Sequence, residues 1–569
     1  MSNRRGLGAV VGGALGLLLL LAPLALAAGD LATHEDRPNI LLIVAEDMSP
    51  RVGAFGDNIA QTPAIDQLAR DGIRFDRAYT ISGVCAPSRS SLISGVYATS
   101  MGTHQMRTSQ GVPESEITSY DAVPPAEVKA FPELLRAAGY STANFAKKDY
   151  QFGDPFTIWD LHTGQFTGPI EPALWRKLPS EKPWFVMMNL MSTHESRLVD
   201  PQAAYPDQWS PMISAINKER EATVTQVTNP ADVRVPAYLP DTSSVRRSIA
   251  QHYDNIHYMD SQVDSILSAL EQDGLAEKTI VIWTTDHGDA FPRAKRAVYE
   301  SGTHVPFVIR FPDSRGGGSV VSRLVSFVDI APTLLNFAGA TVPEFIQGRD
   351  IFTDQPRQYV FAARDRMDAT FDRARAVRDE RYRLVENFAP ELAYFRPLVF
   401  RDMFPIMKEL WRAHRDDSLN DVQRYWFTAP RPQYELYDVQ SDPDEINNLA
   451  DRPELAKTKA RLIAALNGWR DRVGDLGDIS ELEMVEAMWG GHTQPNTAPP
   501  VSSSHSLPKG QVEIVLSAAT QGSSVGFKID QGSWQLYTGP FVVSAGQSVV
   551  AKAIRYGFAE SPTADIWPQ

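Results

Sequence analysis

Three short apolar runs without alternation frame the chain: Ile40-Leu41-Leu42-Ile43-Val44, Trp184 to Leu190, and Thr279-Ile280-Val281-Ile282-Trp283-Thr284. Each is too short for an ordinary helix, and each gives way to polar residues: Glu46-Asp47, Thr193-His194 and Asp286-His287-Gly288-Asp289. Such runs predict strands buried on both faces of a mostly parallel sheet. Open α/β sheets hold ligands in the crevice beyond the carboxyl ends of their strands, so the two strands that end in carboxylates, at Glu46-Asp47 and at Asp286 to Asp289, are predicted to share one crevice. Helical spacing fills the intervals. Pro63 with Ile65, Leu68 and Ala69 predicts one helix, and Phe131, Leu134 and Leu135 ahead of Gly139 a second. Ile256, Met259, Val263 and Ile266 predict a third over 253–270, stopped by Gly274.

After about residue 350 the pattern becomes that of a smaller α+β region, with Glu435-Leu436-Tyr437-Asp438 as a strand and a helix running through Trp469. Residues 490–508 are rich in Pro, Ser, Thr and Gly and read as a linker. Residues 509–569 alternate apolar and polar positions between Gly turns, which predicts a small β-sandwich. Through Gly532-Ser533-Trp534-Gln535-Leu536-Tyr537-Thr538-Gly539-Pro540-Phe541 this tail resembles the carboxyl-terminal module of chitobiase-type hexosaminidases. Trp534 and Tyr537 suit a sandwich core or a sugar platform equally. The expected organisation is thus a leader at 1–28, a catalytic α/β domain at 37–350, a second subdomain at 351–489, the linker, and the module.

The leader rests on Arg4-Arg5, an apolar run from Leu7 to Leu26 broken by Gly and Pro23, and Ala25-Leu26-Ala27 for cleavage. It predicts export, to a periplasm or the exterior, with no membrane span in the mature chain. Its removal takes two arginines and moves the formal charge from −14 to −16. So acidic a chain is a poor partner for nucleic acid, and an anionic substrate needs a local basic pocket. Cys85 is the only cysteine in 569 residues, so no internal disulfide supports the exported fold.

A lone cysteine is ordinarily a small buried hydrophobe. Here it stands in Cys85-Ala86-Pro87-Ser88-Arg89, continued by Ser90-Ser91-Leu92-Ile93-Ser94-Gly95, which resembles the signature of the formylglycine-dependent sulfatases. The resemblance spans about residues 37–470. It implies an alkaline-phosphatase-like α/β fold, mostly parallel sheet flanked by helices, and a Cys85 oxidised before folding to 3-oxoalanine (formylglycine) by a formylglycine-generating enzyme or anaerobic maturase. The hydrated aldehyde then supplies the oxygen that attacks sulfur.

The resemblance also implies the other site residues. Glu46, Asp47, Cys85, Asp286 and His287 would hold a divalent cation, with calcium implied by the family. Glu46 stands where many sulfatases have Asp, and His287 where Asn is usual, so a softer metal such as zinc or manganese also suits the donors. Arg89 would steady the modified residue, Lys147 and Lys295 would bind sulfate oxygens, and His194 would protonate the leaving group. Asp149 occupies the place of a family histidine, so Asp149 or another group such as His104 must assist release of sulfate. Arg293 and Arg296 are expected to meet solvent or substrate. Met101-Gly102-Thr103-His104-Gln105-Met106-Arg107 and Thr193-His194-Glu195-Ser196 look most like the branch that includes heparan N-sulfatase, which adds His104 and Arg107 as substrate-binding candidates and a sulfated saccharide as substrate. Two other readings stand beside it: a phosphate mono- or diesterase of the alkaline-phosphatase-like group, against which Cys85 in the modification motif argues, and an inactive glycan-binding homologue, favoured by Asp149 and Glu46.

Overall fold

A computed structural model describes residues 37–110, 116–352, 355–544 and 546–566. The leader predicted for residues 1–28 lies outside the described residues. Among the described residues no helix is long and apolar enough to cross a membrane.

The main sheet is built from β1 (Asn39–Ala45), β2 (Ile73–Tyr79), β3 (Ser141–Phe145), β4 (Leu161–Thr163), β5 (Trp184–Leu190), β6 (Thr279–Thr285), β7 (His304–Arg310) and the short β8 (Val320–Val321) and β9 (Val325–Ser326). Its order is β4-β3-β5-β1-β6-β7-β2-β8, with β9 also on β2. The five strands from β4 to β6 run parallel to their neighbours, whereas β7 is antiparallel to both β6 and β2. The uninterrupted apolar runs are explained by the two cores they feed. Leu41 and Ile43 of β1, Val186 and Met188 of β5, and Val281 and Trp283 of β6 point into one. Ile40, Leu42, Phe185, Met187, Ile280 and Ile282 point into the other. With a period of two and both faces covered, every position must be apolar.

The Pro63–Asp71 and Ser243–Gln272 helices cover the first face through Ile65, Leu68, Ile256, Met259, Val263 and Ile266. The Cys85–Ser94, Phe131–Ala137 and Ile330–Phe337 helices cover the second through Leu92, Phe131, Leu135 and Leu334. The long helix begins at Ser243 because Thr242 caps it, accepting a bond from the Val245 amide.

A second, antiparallel sheet follows: β10 (Val360–Arg364), β11 (Ala374–Arg378), β12 (Tyr382–Asn387) and β13 (Tyr434–Asp438), in sequence order. Leu462, Leu466 and Trp469 of the Ala456–Val473 helix pack on Val377, Leu384 and Leu436, with Trp469 stacked 4.9 Å from Phe361.

The tail forms two small sheets around one core of Ile514, Leu516, Phe527, Val543, Val549 and Ala551. One holds β14 (Val501–Leu507), β15 (Gln511–Ser517) and β18 (Phe541–Ser544); the other holds β16 (Ser524–Ile529), β17 (Gln535–Leu536), β19 (Val549–Ile554) and β20 (Ala564–Ile566). The linker expected at 490–508 is therefore corrected, because its second half is strand. Val501-Ser-Ser-Ser-His-Ser-Leu507 is an exposed edge strand held to β15 by backbone pairing from Val501 opposite Ser517 to Leu507 opposite Gln511. It buries almost no side chain and so carries no apolar signal.

The module is docked on the catalytic domain. Tyr556 stacks 5.0 Å from Phe152 and donates to the buried Glu133 carboxylate at 2.7 Å, and Ser524 donates to the other Glu133 oxygen at 2.5 Å. Lys129 Nζ donates to the Gly522 carbonyl at 2.7 Å. Trp534 packs 5.6 Å from Phe156 of the catalytic domain, under the Lys552 ammonium, and Tyr537 packs on the module core.

Candidate active site

Four neighbouring parallel strands deliver the polar residues to one crevice. β1 ends in Glu46 and Asp47, β6 in Asp286 and His287, β5 in the turn carrying Thr193, His194 and Glu195, and β3 in the loop carrying Lys147 and Asp149. Cys85 enters from below as the first residue of the Cys85–Ser94 helix, whose end is closed by Gly95 at φ 72°. Negative charge developing at position 85 thus faces the positive end of a helix.

The Cys85 thiol is 1% exposed and lies 3.3 Å from His287 Nε2, 3.6 Å from Lys295 Nζ, and 3.9 Å from both Glu46 Oε2 and Asp47 Oδ1. Ligand atoms of Asp47, Cys85, Asp286 and His287 all lie within 4.8 Å of one another, as do those of Glu46, Asp47, Cys85 and His194. Asp47 Oδ1 is 2.9 Å from His287 Nε2, and Asp286 Oδ1 accepts the Asp47 amide at 3.1 Å.

Three buried carboxylates in so small a space need cations. Arg89 reaches Glu46, Asp286 Oδ2 at 3.1 Å and Asn189 Oδ1 at 2.6 Å; Lys147 Nζ is 2.7 Å from Glu46 Oε2, and Lys295 Nζ is 2.6 Å from Asp47 Oδ2. Burial raises the Glu46 carboxyl despite Arg89. Burial also opposes charge at Asp47 and Asp286, yet Lys295 with His194 and His287 holds the first well below the usual carboxylate range, and His287 with Arg89 and Lys147 holds the second below it. Oxygen donors in the majority with one imidazole form a set that a divalent cation fits, hard by three ligands and borderline by the fourth.

The sulfate-side candidates open outward. His194 Nδ1 accepts the Ser196 amide at 3.2 Å and meets Ser196 Oγ at 2.9 Å, which leaves Nε2 as the ring nitrogen free to face the nucleophile. Burial, then Lys295, holds the His194 imidazole well below its usual value. Burial opposes the Lys147 charge, but the sulfur of Cys85 and Glu46 raise the ammonium well above the usual range. Asp149 Oδ2, at the mouth, lies 3.8 Å from Lys147 Nζ. Asp47, Ala146, Asp149 and Arg296 hold left-handed φ angles of 47°, 65°, 63° and 71°, an accumulation of backbone strain around the crevice.

The remaining two substrate candidates are His104 and Arg107. His104 is buried with neither ring nitrogen hydrogen-bonded, beside Asp475 of the second subdomain, and follows Thr103, whose hydroxyl meets that of Ser90 in the Cys85–Ser94 helix at 2.8 Å. Arg107, at φ 61°, pairs with Asp368 and lies between the Trp209 and Phe400 rings, 5.7 and 5.0 Å from their centroids. Arg293 and Arg296, expected to meet solvent or substrate, are 3% and 4% exposed, which rules out the first. Arg296 forks onto Glu195 at 2.7 and 2.8 Å, and Arg293 lies against Tyr238, Tyr299 and Trp426.

Sequence reasoning missed three supporting residues. Glu195 ties Arg296 to Lys295 at 3.2 Å and donates its amide to Asp47 Oδ2 at 2.6 Å. Asn189 takes Arg89 on its oxygen and donates to the Phe145 and Lys147 carbonyls at 2.8 and 3.0 Å, latching the Lys147 loop to β5. Thr193 Oγ1 donates to the Glu46 carbonyl at 2.6 Å. For Thr193 and Glu195 the available signal was adjacency to His194; for Asn189 it was an amide within an otherwise apolar strand.

Comparison with known proteins agrees with this geometry. The chain is 37% identical to an ulvan-active sulfatase of Formosa agariphila, over 95% of its own length and 93% of the relative's, and 27% identical to human N-sulphoglucosamine sulphohydrolase over 76% and 89%. A solved structure of a protein in complex with its substrate D-glucosamine-2-N,6-O-disulfate shares the fold, with a TM-score of 0.54, 19% identity and coverage of 77% of this chain and 98% of that one. So does the phosphonate monoester hydrolase of Agrobacterium radiobacter, with a TM-score of 0.52, 18% identity and coverage of 77% and 96%. Residues 291–395 match the model of the N-sulphoglucosamine sulphohydrolase carboxyl-terminal region. The sulfatase model matches residues 38–340, more than half the chain, which therefore belongs to the sulfatase family, hydrolases of sulfate esters and sulfamates.

Proposed function

We propose that this protein is an exported, periplasmic or secreted, sulfatase of saccharides that works through a formylglycine formed from Cys85 by a dedicated maturation enzyme before export. The observation that carries the reading is the aim of Cys85: its sulfur sits among Glu46, Asp47, His287 and Lys295 at 3.3–3.9 Å. The hydrated aldehyde at that position supplies an oxygen nucleophile for sulfur. Glu46, Asp47, Asp286 and His287 would hold a divalent cation, and the predominance of carboxylate oxygen favours calcium; the ion would supply Lewis-acid neutralisation of a sulfate oxygen.

The side chains of this chain do the rest. Lys147, partly exposed, and Lys295, buried, both turn to the cluster and neutralise the remaining sulfate oxygens. Arg89 is a positioning residue, since its three partners Glu46, Asp286 and Asn189 use its fork fully. His194 presents Nε2 to the departing oxygen or nitrogen. The negative charge of bound sulfate offsets the lysines that keep the ring neutral, so the imidazolium forms with substrate in place and protonates the leaving group. Asp149, 3.8 Å from Lys147 and at the mouth, takes the place of the release group. Glucosamine sulfated on nitrogen or oxygen is the first substrate to assay, since relatives include N-sulphoglucosamine sulphohydrolase and N-acetylglucosamine-6-O-sulfatase, and ulvan oligosaccharides are the second.

Peptide mass spectrometry across Cys85 tests the reading. The mass loss of thiol-to-aldehyde conversion in protein from its native host, with loss of all turnover in a folded Cys85→Ala variant, supports it; full activity in that variant would refute it.

A further inference from the structure

The turn after β13, Asp442-Pro443-Asp444-Glu445, lies outside the Cys85 cluster and yet presents one side chain toward the loop that completes it. Its geometry is fixed from within. The Asp442 carbonyl accepts the Glu445 amide at 3.0 Å, and Asp442 Oδ2 accepts the Ile446 and Asn447 amides at 3.0 and 2.8 Å. Glu445 leaves this turn at φ 50°, fully buried, against the catalytic domain.

What it touches there is the segment that carries Lys295. The backbone carbonyl of Glu445 accepts Arg293 Nη2 at 2.8 Å, and its Oε2 accepts the Glu300 amide at 2.8 Å. One residue of the second subdomain thus holds both ends of 293–300, and Lys295 lies between them. Glu445 Oε1 faces Arg383 Nε at 3.1 Å, and Arg383, on β12, donates to the Val298 carbonyl at 2.5 Å, a third hold on the same segment.

The segment needs holding. Arg293 and Arg296 flank Lys295 with left-handed φ angles of 67° and 71°, which L side chains keep only where the surroundings over-determine them. Within the segment the Arg296 amide donates to the carbonyl of Gly83, two positions before Cys85, at 2.6 Å. Lys295 Nζ reaches Asp47 Oδ2 at 2.6 Å and Cys85 Sγ at 3.6 Å. A movement at either end is therefore delivered to the nucleophile.

We infer that Glu445 is a positioning residue for the sulfatase reaction: from the second subdomain it sets Lys295 at Cys85, by hydrogen bonding and not by its charge. Both oxygens that hold the segment would accept equally well as parts of a neutral group. Burial pushes the Glu445 carboxyl up in spite of Arg383 and Arg293, so charge is the weaker part of what it offers. The assignment rests on the sulfate-binding role given to Lys295 but is tested apart from it.

Two conservative variants of the full chain separate the roles. Glu445→Gln keeps an oxygen at the reach of Oε2 and loses the charge, whereas Glu445→Asp keeps the charge and draws the oxygen back by one methylene. Melting curves establish that both fold. Hydrogen exchange over 291–303 is expected to quicken about 5-fold in Glu445→Asp, the worth of one hydrogen bond, and to stay near wild type in Glu445→Gln. For nitrophenyl sulfate, kcat/KM should fall about 10- to 100-fold in Glu445→Asp, as a misplacement of about 1 Å does, and recover most of this in Glu445→Gln. On a Lys295→Ala background Glu445→Asp should cost less than about 2-fold more, because a group acting through Lys295 has nothing left to position. Equal losses on the two backgrounds, a Glu445→Gln variant as impaired as Glu445→Asp, or unchanged exchange in Glu445→Asp overturns the assignment. An unchanged kcat/KM in Lys295→Ala would instead refute the sulfate-binding role, and the exchange comparison would still decide whether Glu445 holds the segment.

Discussion

Tyr556→Phe removes a single oxygen from the joint between the carboxyl-terminal module and the catalytic domain, and its effect follows from the surroundings. The phenol donates at 2.7 Å to Glu133 Oε2, and its ring stacks 5.0 Å from Phe152, a contact that phenylalanine preserves. Glu133 is 4% exposed and keeps Thr157 and Ser524 as donors, so the variant leaves a buried carboxylate short of one bond. A hydrogen bond to a charged group contributes about 1.5–3 kcal/mol. Near the midpoint, unfolding entropy is roughly 2 cal/mol/K per residue, so if all 569 residues melt together the transition should fall by about 1–3 °C. If instead the module unfolded alone, the same loss would move its own, smaller transition by about 4–8 °C per kcal/mol. Differential scanning calorimetry distinguishes the cases, and the docked arrangement predicts one transition shifted by the smaller amount. An unchanged transition, or a separate module peak indifferent to the substitution, would refute the argument that Glu133 couples the two parts.

Other consequences follow at the site and in the second subdomain. Burial and Lys295 favour neutral His194, so kcat/KM for a sugar sulfate should fall as pH rises through the weakly acidic range. An aryl sulfate with a good leaving group should show a flatter profile, and identical profiles would remove His194 from the acid role. Arg375, fully buried, forks onto Asp365 and Asp475 at 2.6–3.0 Å, so Arg375→Met leaves buried Asp365 without its cation and Asp475 with only Arg470 at 3.5 Å, and should cost about 3–5 kcal/mol by urea unfolding. On the proposed metal site, chelation should abolish sulfatase activity and lower the melting temperature, with calcium restoring both, since Glu46, Asp47 and Asp286 are then left with only Arg89, Lys147 and Lys295 to offset their mutual repulsion. Lys147→Met should lower kcat/KM by at least about 100-fold, the usual cost of one donor to transition-state charge.

The sheet was legible because β1, β5 and β6 each feed two cores, and a strand with two buried faces leaves an unmistakable run. The carboxylates at the ends of those runs were legible for the same reason, since chemistry sits where the strands stop, whereas Cys85, at the start of a helix, was legible only through its motif. What stayed hidden depends on contacts between distant segments. Glu195 stands in the sequence only as part of Thr193-His194-Glu195-Ser196, and its role emerges when Lys295 and Arg296, about a hundred positions later, fold onto it. Arg293 and Arg296 were open to solvent or substrate in the sequence because the acids and rings that bury them, Glu195, Tyr238 and Trp426, are not local. The strand β14 was invisible for the opposite reason, since backbone bonds alone hold it and leave the side chains free to be serine.

The burial of Cys85 sets a clock. At 1% exposure, on the first turn of a helix under the completed sheet, its sulfur is closed to any macromolecular catalyst once the chain has folded. On the proposed chemistry each molecule then has one interval in which to be converted, and whichever of folding and oxidation is faster decides its fate. A chain that folds first is a stable, well-formed thiol protein with no route back except unfolding. The specific activity of a preparation would thus record a kinetic partition during synthesis, and raising the expression rate beyond the supply of maturation enzyme would yield more protein but no more catalyst.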